Sequence, residues 1–246
     1  MPFEPELPKL YSELASWFHL LTSPPDYAEE ADFARRLLVE TSTAAPRTVL
    51  ELGSGGGNNA SHLKAHFQLT LVDVSPKMLE LSRELNPDCE HLGGDMKTLR
   101  LGRVFDAVFV HDAIMYMTTE RDLRHALETA FVHCKPGGVA IFMPDVVSET
   151  FVSLTTHGGH DGNGRSIRYI EWTFDVDPAD TVYTVDFAYL LRDGSEPLRV
   201  VHDRHVFGIF SRDVWLQLLR DVGFEPSVIA DPWGREVFAC RKQNAG

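Results

Sequence analysis

The stretch VLELGSGGGNNASHLKAHFQLTLVD, residues 49–73, decides the fold of this chain. It contains an apolar run ending at Leu52, a cluster of glycines, a helical pattern and a second apolar run ending at Asp73. A glycine turn between a buried strand and a helix lets backbone approach a ligand and directs the free N–H groups of the helix towards it. Asp73 follows Gly53 by 20 residues, at a strand end where a carboxylate can accept both hydroxyls of a ribose. The stretch therefore predicts a site for a nucleoside cofactor.

The alternation of short apolar strands and helices continues to about residue 145. Beyond the quoted stretch, we predict the strands Cys89–Leu92, Phe105–His111 and Val139–Met143, and the helices Pro76–Leu85 and Thr119–Cys134. Such alternation is typical of a parallel sheet with helices on both faces. The sequence therefore predicts an α/β fold.

Residues 146–210 interrupt this alternation. A small antiparallel β insertion over one edge of the main sheet is predicted from strand-like runs near 166–175, 181–192 and 197–207. The preceding residues, 157–164, predict a loop, which we interpret as the mobile part of a lid because four of them are glycines. An ordinary surface loop is the alternative.

The two ends of the chain are predicted to complete these units. Helices are expected at Leu10–Leu21 and from Asp26, as N-cap, to Val39, whereas residues 1–10 contain three prolines and are expected to be extended. Ser211 is predicted to cap a last helix before two strands, near Phe224–Ala230 and Glu236–Arg241. The predicted division is a helical cap at 1–44, a cofactor-binding core at 45–145, a lid or substrate insertion at 146–210, and a helix and strands at 211–246 that complete the core sheet.

Composition and charge restrict the partners. Lys+Arg 23 against Asp+Glu 36 give a net charge of −13, which repels nucleic acid and anionic membrane surfaces. The N-terminal residues lack a basic start and an apolar core, and no apolar run approaches the roughly 18 residues that span a bilayer. Cys89, Cys134 and Cys240 are far apart and predict buried free thiols in a reducing compartment. We expect a cytoplasmic enzyme or small-molecule binder.

The glycine cluster differs from a dinucleotide site. That fingerprint is G-x-G-x-x-G, whereas Gly53, Gly55, Gly56 and Gly57 are followed here by Asn58. Glu51 precedes the turn, and its carboxylate would repel a pyrophosphate but suit a cationic sulfonium or ammonium group. The nucleoside is therefore predicted to carry a positive charge.

At these residues the chain resembles the class I S-adenosylmethionine-dependent methyltransferases, whose first motif is E-x-G-x-G-x-G. DVSPKML at 73–79, GGDMKTL at 93–99, FDAVFVHDAIMYM at 105–117 and the Pro-Gly-Gly turn at 136–138 also fit that family. The resemblance covers about residues 45–145. It implies a Rossmann-like, seven-stranded, mostly parallel sheet with helices on both faces, S-adenosyl-L-methionine as cofactor, and methyl transfer to a small molecule.

The resemblance also implies roles for individual residues. Gly53, Ser54 and Gly55 would lie under the methionine part of the cofactor, with Glu51 beside it, and Asp73 would hold the ribose. The remaining cofactor-binding residues would flank the adenosine or approach the methionine and sulfonium: Val74, Ser75, Met78, Asp95, Met96, His111 and Asp112. Met78 could equally be helix core, and Asp95 could cap the following turn.

The layout is similar to that of amino-sugar N-methyltransferases, and this likeness bears on the acceptor. In that family an early tyrosine helps to close the cofactor site, which implies this role for Tyr11, and a histidine often stands near the position of Tyr116. An amine acceptor needs only to lose its proton, whereas an alcohol needs a general base, for which His111 and Tyr116 are the catalytic candidates. Candidate substrate-binding residues are Tyr116, Arg165, Tyr169 and Trp172. Whether nitrogen or oxygen is methylated stays open, as does an amino-sugar or other secondary-metabolite substrate.

A metal site and two other functions are the alternatives to methyl transfer. H-x-x-H occurs at His157/His160 and at His202/His205. His202 and His205 lie in a predicted strand, where residues three apart point to opposite faces and cannot share one ion. His157 and His160 lie in the predicted loop and could approach each other, but two ligands do not make a site, so we predict no metal. The alternative functions are an NAD(P)-dependent oxidoreductase on a Rossmann sheet and a non-catalytic S-adenosylmethionine-binding protein. The expected partner is a small-molecule acceptor, with the chain as a monomer or homodimer.

Overall fold

Helices and strands alternate along the first half of the chain, and strands predominate in the second. The structure, a computed structural model, describes residues 7–244, so residues 1–6 of the predicted extended segment at 1–10 lie outside the described residues. The α-helices in that range are α1 (Phe18–Leu21), α2 (Ala28–Thr41), α3 (Asn58–Leu63), α4 (Pro76–Leu85), α5 (Glu120–His133) and α6 (Arg212–Val222). The strands are β1 (Thr48–Leu52), β2 (Gln68–Asp73), β3 (Glu90–Gly93), β4 (Phe105–Val110), β5 (Cys134–Phe142), β6 (Leu154–Gly162), β7 (Arg165–Phe174), β8 (Val182–Asp193), β9 (Arg199–Gly208), β10 (Phe224–Ala230) and β11 (Glu236–Lys242).

The main sheet has seven strands in the order β10-β11-β5-β4-β1-β2-β3. The first five strands of the chain pair in parallel, whereas β11 pairs antiparallel with β5 and with β10. This confirms the predicted Rossmann-like, mostly parallel sheet. The strand order reverses between β1 and β4, and the carboxyl ends of strands at such a reversal are where open α/β sheets bind ligands.

The core consists of two apolar layers, one on each face of this sheet. Leu50 and Leu52 of β1 point into one layer with α5 and α6, whereas Val49 points into the other with α2 and α3. Because successive side chains of a strand point to opposite faces, both sets must be apolar when helices cover both faces. That requirement explains the continuous apolar run at the start of the quoted stretch.

The predicted glycine loop at 157–164 is mostly a strand of a second sheet. Its four antiparallel strands lie in the order β6-β7-β8-β9, and β6 includes most of the residues assigned to a mobile lid. The glycines allow close approach, since a Cβ at Gly158 would lie 2.7 Å from the Tyr169 hydroxyl and one at Gly159 would lie 2.3 Å from the Ile167 carbonyl oxygen. The connection to β7 is only a tight turn, in which Asn163 has a φ of 52°.

The N-terminal segment corrects the predicted helix at Leu10–Leu21. It forms separate 3₁₀ turns at Lys9–Tyr11 and Ala15–Trp17 before the single turn of α1. The segment breaks because its apolar residues are buried in two places: Trp17 packs on the second sheet, and Phe18 packs against Met78 of α4.

Helix caps follow the sequence in part. Ser211 Oγ accepts a hydrogen bond from Val214 N at 3.3 Å, as predicted for α6. Asp26 does not cap α2, because it lies inside a 3₁₀ turn at Pro24–Tyr27 and the helix begins at Ala28 without a side-chain cap. The Pro-Gly-Gly segment at 136–138 lies within β5 rather than before it.

Two expectations from composition can be compared with the fold. Cys134 and Cys240 are buried free thiols, whereas Cys89 is only partly buried. Within residues 7–244, no helix combines the length and the apolar character needed to cross a bilayer.

Candidate functional site

A cavity of about 930 Å³ opens at the carboxyl ends of β1, β2 and β4. The second sheet forms the opposite wall, and the N-terminal segment with Tyr11 and Phe18 closes one side. The cavity therefore lies between the predicted cofactor-binding core and the antiparallel insertion.

The glycine turn forms the floor of the cofactor half, and its backbone requires glycine. Gly53 and Gly55 line the cavity with φ of 75° and 52°, values that residues with a side chain rarely adopt. A Cβ on Gly53 would lie 2.3 Å from the Ala113 Cβ, so this position has no room for a side chain. Close packing therefore requires glycine at position 53, and the backbone conformation requires it at position 55.

Asp73 lies at the end of β2, as the spacing predicted, and it also organises the turn. Its two carboxylate oxygens accept hydrogen bonds from Gly55 N at 2.8 Å and Ser75 N at 2.7 Å. Burial raises the pKa of Asp73, and these backbone donors oppose the increase. The carboxylate lines the cavity, and each oxygen keeps lone pairs for a ligand.

Glu51 is a buried carboxylate that lacks a partner on one oxygen. Its side chain lines the cavity, the residue is 2% exposed, and Oε2 accepts no hydrogen bond. Burial raises its pKa to about 8 despite the nearby His111. An unpartnered buried acceptor is costly, and a cationic ligand in the cavity would remove that cost.

His111 lies between two carboxylates, which argues against its predicted role as a base. Its Nε2 lies 2.8 Å from Glu30 Oε1, within ion-pair distance but not aligned as a hydrogen bond, and Nδ1 lies 3.2 Å from Asp112 Oδ1. Burial alone would lower the pKa of His111, but Asp112 and Glu30 raise it well above its usual value. The two carboxylates therefore favour the imidazolium form, which has no lone pair left to accept a further proton.

The predicted adenosine residues lie together at the other end of the cavity. Ser75 Oγ donates to the Tyr11 carbonyl oxygen at 2.6 Å and accepts from Met78 N, so it fastens the N-terminal segment to α4. Val74, Met78 and Met96 also line this end. Asp95 lines it too, but one of its oxygens accepts from Lys97 N at 2.8 Å, which is the turn-capping alternative.

The acceptor half of the cavity lies against one face of the second sheet. Tyr169 lines it, as does the neighbouring acid Glu171, whose carboxylate accepts from Thr156 Oγ1 at 3.2 Å. Aromatic and aliphatic side chains form most of this wall: Phe151, Leu154, Tyr183, Val185, Phe187 and Phe207. The acceptor half is thus apolar with a carboxylate at its edge.

Tyr116 lies in the acceptor half and is hydrogen-bonded to His205, which the sequence did not place at the cavity. Its hydroxyl is 2.7 Å from His205 Nδ1, and His205 Nε2 is 3.2 Å from Asp203 Oδ2. The ring of Tyr11 packs edge-on against both Tyr116 and His205. The alternation of β9 could have placed His205 and Asp203 on one face, but not opposite Tyr116.

The structure places two predicted substrate residues elsewhere. Arg165 is outside the cavity lining, donates to the Ser16 carbonyl oxygen at 2.9 Å, and stacks over Trp17 with its guanidinium carbon 3.6 Å from the ring centroid. Trp172 is 55% exposed on the outer face of β7, because it alternates with the inward-facing Glu171. Neither residue lies on the cavity wall, and the face of β7 that meets the cavity carries Tyr169 and Glu171.

The histidine pairs do not form a cluster. His202 is exposed and lies 2.9 Å from Asp186, whereas His205 is buried on the other face of β9. His157 and His160 are three residues apart on β6, a strand rather than a loop. Among residues 7–244, no group of three or more His, Cys, Asp or Glu side chains could hold a metal ion.

Comparison with known proteins gives the same assignment for the core. Residues 49–138 match the model of a family described as "Methyltransferase domain". A dTDP-3-amino-3,4,6-trideoxy-alpha-D-glucopyranose N,N-dimethyltransferase of Streptomyces venezuelae is 35% identical over 51% of this chain and 54% of its own length. A dTDP-3-amino-3,6-dideoxy-alpha-D-glucopyranose N,N-dimethyltransferase of Streptomyces fradiae is 24% identical over 92% and 89%. The chain thus spans about half the length of the first relative and most of the second.

Solved structures show the same fold over nearly the whole chain. The sugar N-methyltransferase KedS8 from Streptoalloteichus sp ATCC 53650 has a TM-score of 0.84 at 24% identity, covering 99% of this chain and 97% of its own. Streptomyces venezuelae DesVI also has a TM-score of 0.84, at 23% identity, covering 96% and 98%. The E-x-G-x-G-x-G turn thus lies in a segment, residues 49–138, that matches a methyltransferase domain, and the chain has the fold of these solved structures over nearly its whole length.

Proposed function

We propose that this protein transfers a methyl group from S-adenosylmethionine to an amino group of a small molecule. The observation that carries the proposal is the Glu51 carboxylate, which is buried, faces the cavity and leaves one oxygen without a partner. A cationic amino-acid moiety in the cavity would supply that partner. A pyrophosphate at the same place would be repelled, so the alternative of a nicotinamide-dependent oxidoreductase gains no support.

The other cofactor residues fit the same ligand. Gly53 and Gly55 bring backbone to the cavity wall without a side chain, and Asp73 presents a carboxylate 2.8 Å from the Gly55 amide, at the place expected for a ribose. Val74, Met78 and Met96 would contact the adenine. When bound, S-adenosylmethionine supplies a methyl group on a sulfonium sulfur, which keeps the electron pair of the broken C–S bond.

The acceptor half supports an amine rather than an alcohol. Glu171 at its edge attracts an ammonium group, and the aromatic rings of Phe187 and Phe207 offer favourable faces to a cation. His111, the predicted base for an alcohol, is already protonated between Asp112 and Glu30. An amine acceptor needs alignment and loss of one proton, which this wall can provide.

The same wall does not favour a phosphate group on the acceptor. Among the described residues, the lining of the acceptor half includes no lysine or arginine, and Lys97 lies at the opposite end beside Asp95. Relatives are named for sugars linked to dTDP. For this chain we propose an amine on an apolar or deoxygenated body, of the kind found in amino sugars and other secondary metabolites, without a diphosphate inside the cavity.

The test is methyl transfer from labelled S-adenosylmethionine to a matched set of acceptors. The set contains the methyl glycoside of 3-amino-3,6-dideoxyglucose, its counterpart with a hydroxyl in place of the amine, and the same amino sugar linked to dTDP. We expect label on the two amines, with the glycoside that lacks a diphosphate preferred. Label on the hydroxyl compound alone, or calorimetric binding of NAD in place of S-adenosylmethionine, would contradict the proposal.

A further inference from the structure

A buried chain of hydrogen bonds leads from the acceptor half of the cavity into the second sheet. Tyr116 Oη lies 2.7 Å from His205 Nδ1, and His205 Nε2 lies 3.2 Å from Asp203 Oδ2. The side chains of His205 and Asp203 are only 2% and 4% exposed. Tyr116 and His205 line the cavity, so this series of hydrogen bonds begins at the cavity and ends at Asp203 inside the protein.

The hydrogen bonds determine where the protons lie. Asp203 accepts from Lys9 N at 3.0 Å and Leu10 N at 2.9 Å. Burial would raise the pKa of Asp203, but His205 and these two amides lower it, so the residue is a carboxylate and an acceptor. His205 Nε2 must then carry the hydrogen, Nδ1 must accept, and the Tyr116 hydroxyl must donate. The Tyr116 oxygen then has lone pairs for a donor, and both the neighbouring Tyr11 hydroxyl and a group in the cavity can use them.

We infer that Tyr116, supported by His205 and Asp203, accepts the proton that the acceptor amine loses. The inference rests on the proposed N-methylation. Formation of the N–C bond uses the nitrogen lone pair, so a primary ammonium must lose one proton before the transfer, and the methylated ammonium must lose one before a second. The proton passes from nitrogen to Tyr116 Oη while the phenolic proton passes to His205 Nδ1. The resulting imidazolium is paired with Asp203 and returns its proton to solvent after product release.

The surroundings favour this direction of proton flow. The titratable groups that face the His205 ring are Asp203 on its own strand, Tyr116 from the segment after β4, and Tyr11 from the N-terminal segment, while β8 contributes the ring of Phe187. The one carboxylate in contact with the ring stabilises the imidazolium that forms. In this arrangement Tyr116 is the catalytic residue, and His205 and Asp203 are positioning residues.

The activity test compares Y116F and H205Q with H202Q as the matched control. His202 lies on the same strand but on its exposed face, away from the cavity. At about pH 7 we expect Y116F and H205Q to lower kcat for the methyl glycoside of 3-amino-3,6-dideoxyglucose about 10²-fold, with calorimetric affinity for S-adenosylmethionine within about twofold. The deficit should shrink as the pH rises towards about 9.5, because more amine then arrives neutral. H202Q should match the wild type throughout.

A second measurement needs no acceptor. In protein labelled with ¹⁵N at histidine, we expect His205 to carry its hydrogen on Nε2, and the Nδ1 signal to shift in Y116F. Hydrogen on Nδ1, wild-type kcat in Y116F, or a deficit that does not change with pH would overturn the inference. If no amine is methylated by the wild type, the proposed function fails, while the histidine spectrum still decides the proton arrangement.

Discussion

Replacement of Asp73 by alanine is expected to weaken S-adenosylmethionine binding while the protein stays folded. The carboxylate is nearly buried, faces the cavity and holds Gly55 N at 2.8 Å and Ser75 N at 2.7 Å. A charged acceptor that also holds a ribose contributes about 1.5–3 kcal/mol, so affinity should fall about 10- to 150-fold. Both amides border the cavity and regain water, which limits the loss of stability to about 1–3 kcal/mol.

Asp106 provides the matched control for this experiment. Its carboxylate likewise accepts two backbone amides, Arg47 N at 3.0 Å and Thr48 N at 2.9 Å, but it is on the first half of β4, outside the cavity lining. Calorimetry and thermal unfolding on D73A, D106A and wild type separate the two effects. We expect both variants to unfold at lower temperature and D73A alone to lose affinity. Equal affinity in D73A and D106A would refute the assignment of Asp73 to the cofactor.

The remaining predictions concern three other residues. Burial raises the pKa of Glu51 to about 8, and a cationic ligand favours its ionised form, so cofactor binding below pH 8 releases a proton. The calorimetric affinity of the wild type should therefore rise by up to tenfold per pH unit towards pH 8, whereas the affinity of E51Q should not change with pH. G53A should abolish binding of S-adenosylmethionine, since its Cβ would lie 2.3 Å from the Ala113 Cβ. The control G102A, also at positive φ but with open space around it, should cost only about 1 kcal/mol of stability. Normal binding by folded G53A would contradict this prediction. R165A should lower the unfolding temperature through lost stacking on Trp17, worth about 0.5–2 kcal/mol, without changing kcat; a kcat defect in R165A would restore its role at the substrate.

Local sequence pattern was sufficient to predict the glycine turn and the carboxylate that lie side by side at the cavity. The apolar run before Gly53, the glycines and the acid at Asp73 are each within one strand–turn–helix–strand unit, where backbone geometry determines which residue types fit. Glycine at positive φ and a carboxylate at a strand end therefore predict the same local structure wherever that unit occurs. The seven-stranded sheet followed from the same repeated alternation.

The insertion shows where the pattern misled. Gly158 and Gly159 suggested mobility, but they are glycines because the Tyr169 ring and the Ile167 carbonyl cross close to their backbone in a paired strand. A glycine that permits motion and a glycine that permits close contact are identical in sequence. Only the partner strand distinguishes them.

The acceptor half was decided by tertiary structure alone. Alternation on β7 showed that Tyr169 and Trp172 point to opposite faces, but which face meets the cavity depends on the side from which the second sheet packs. Tyr116 and His205 are 89 residues apart, and no local rule brings a side chain after β4 to one on β9. Sequence determines the conformations and hydrogen bonds that residues make with near neighbours. Contacts between distant segments depend on how the two sheets enclose their shared cavity, and these contacts set the ionisation of His111 and the partners of Tyr116.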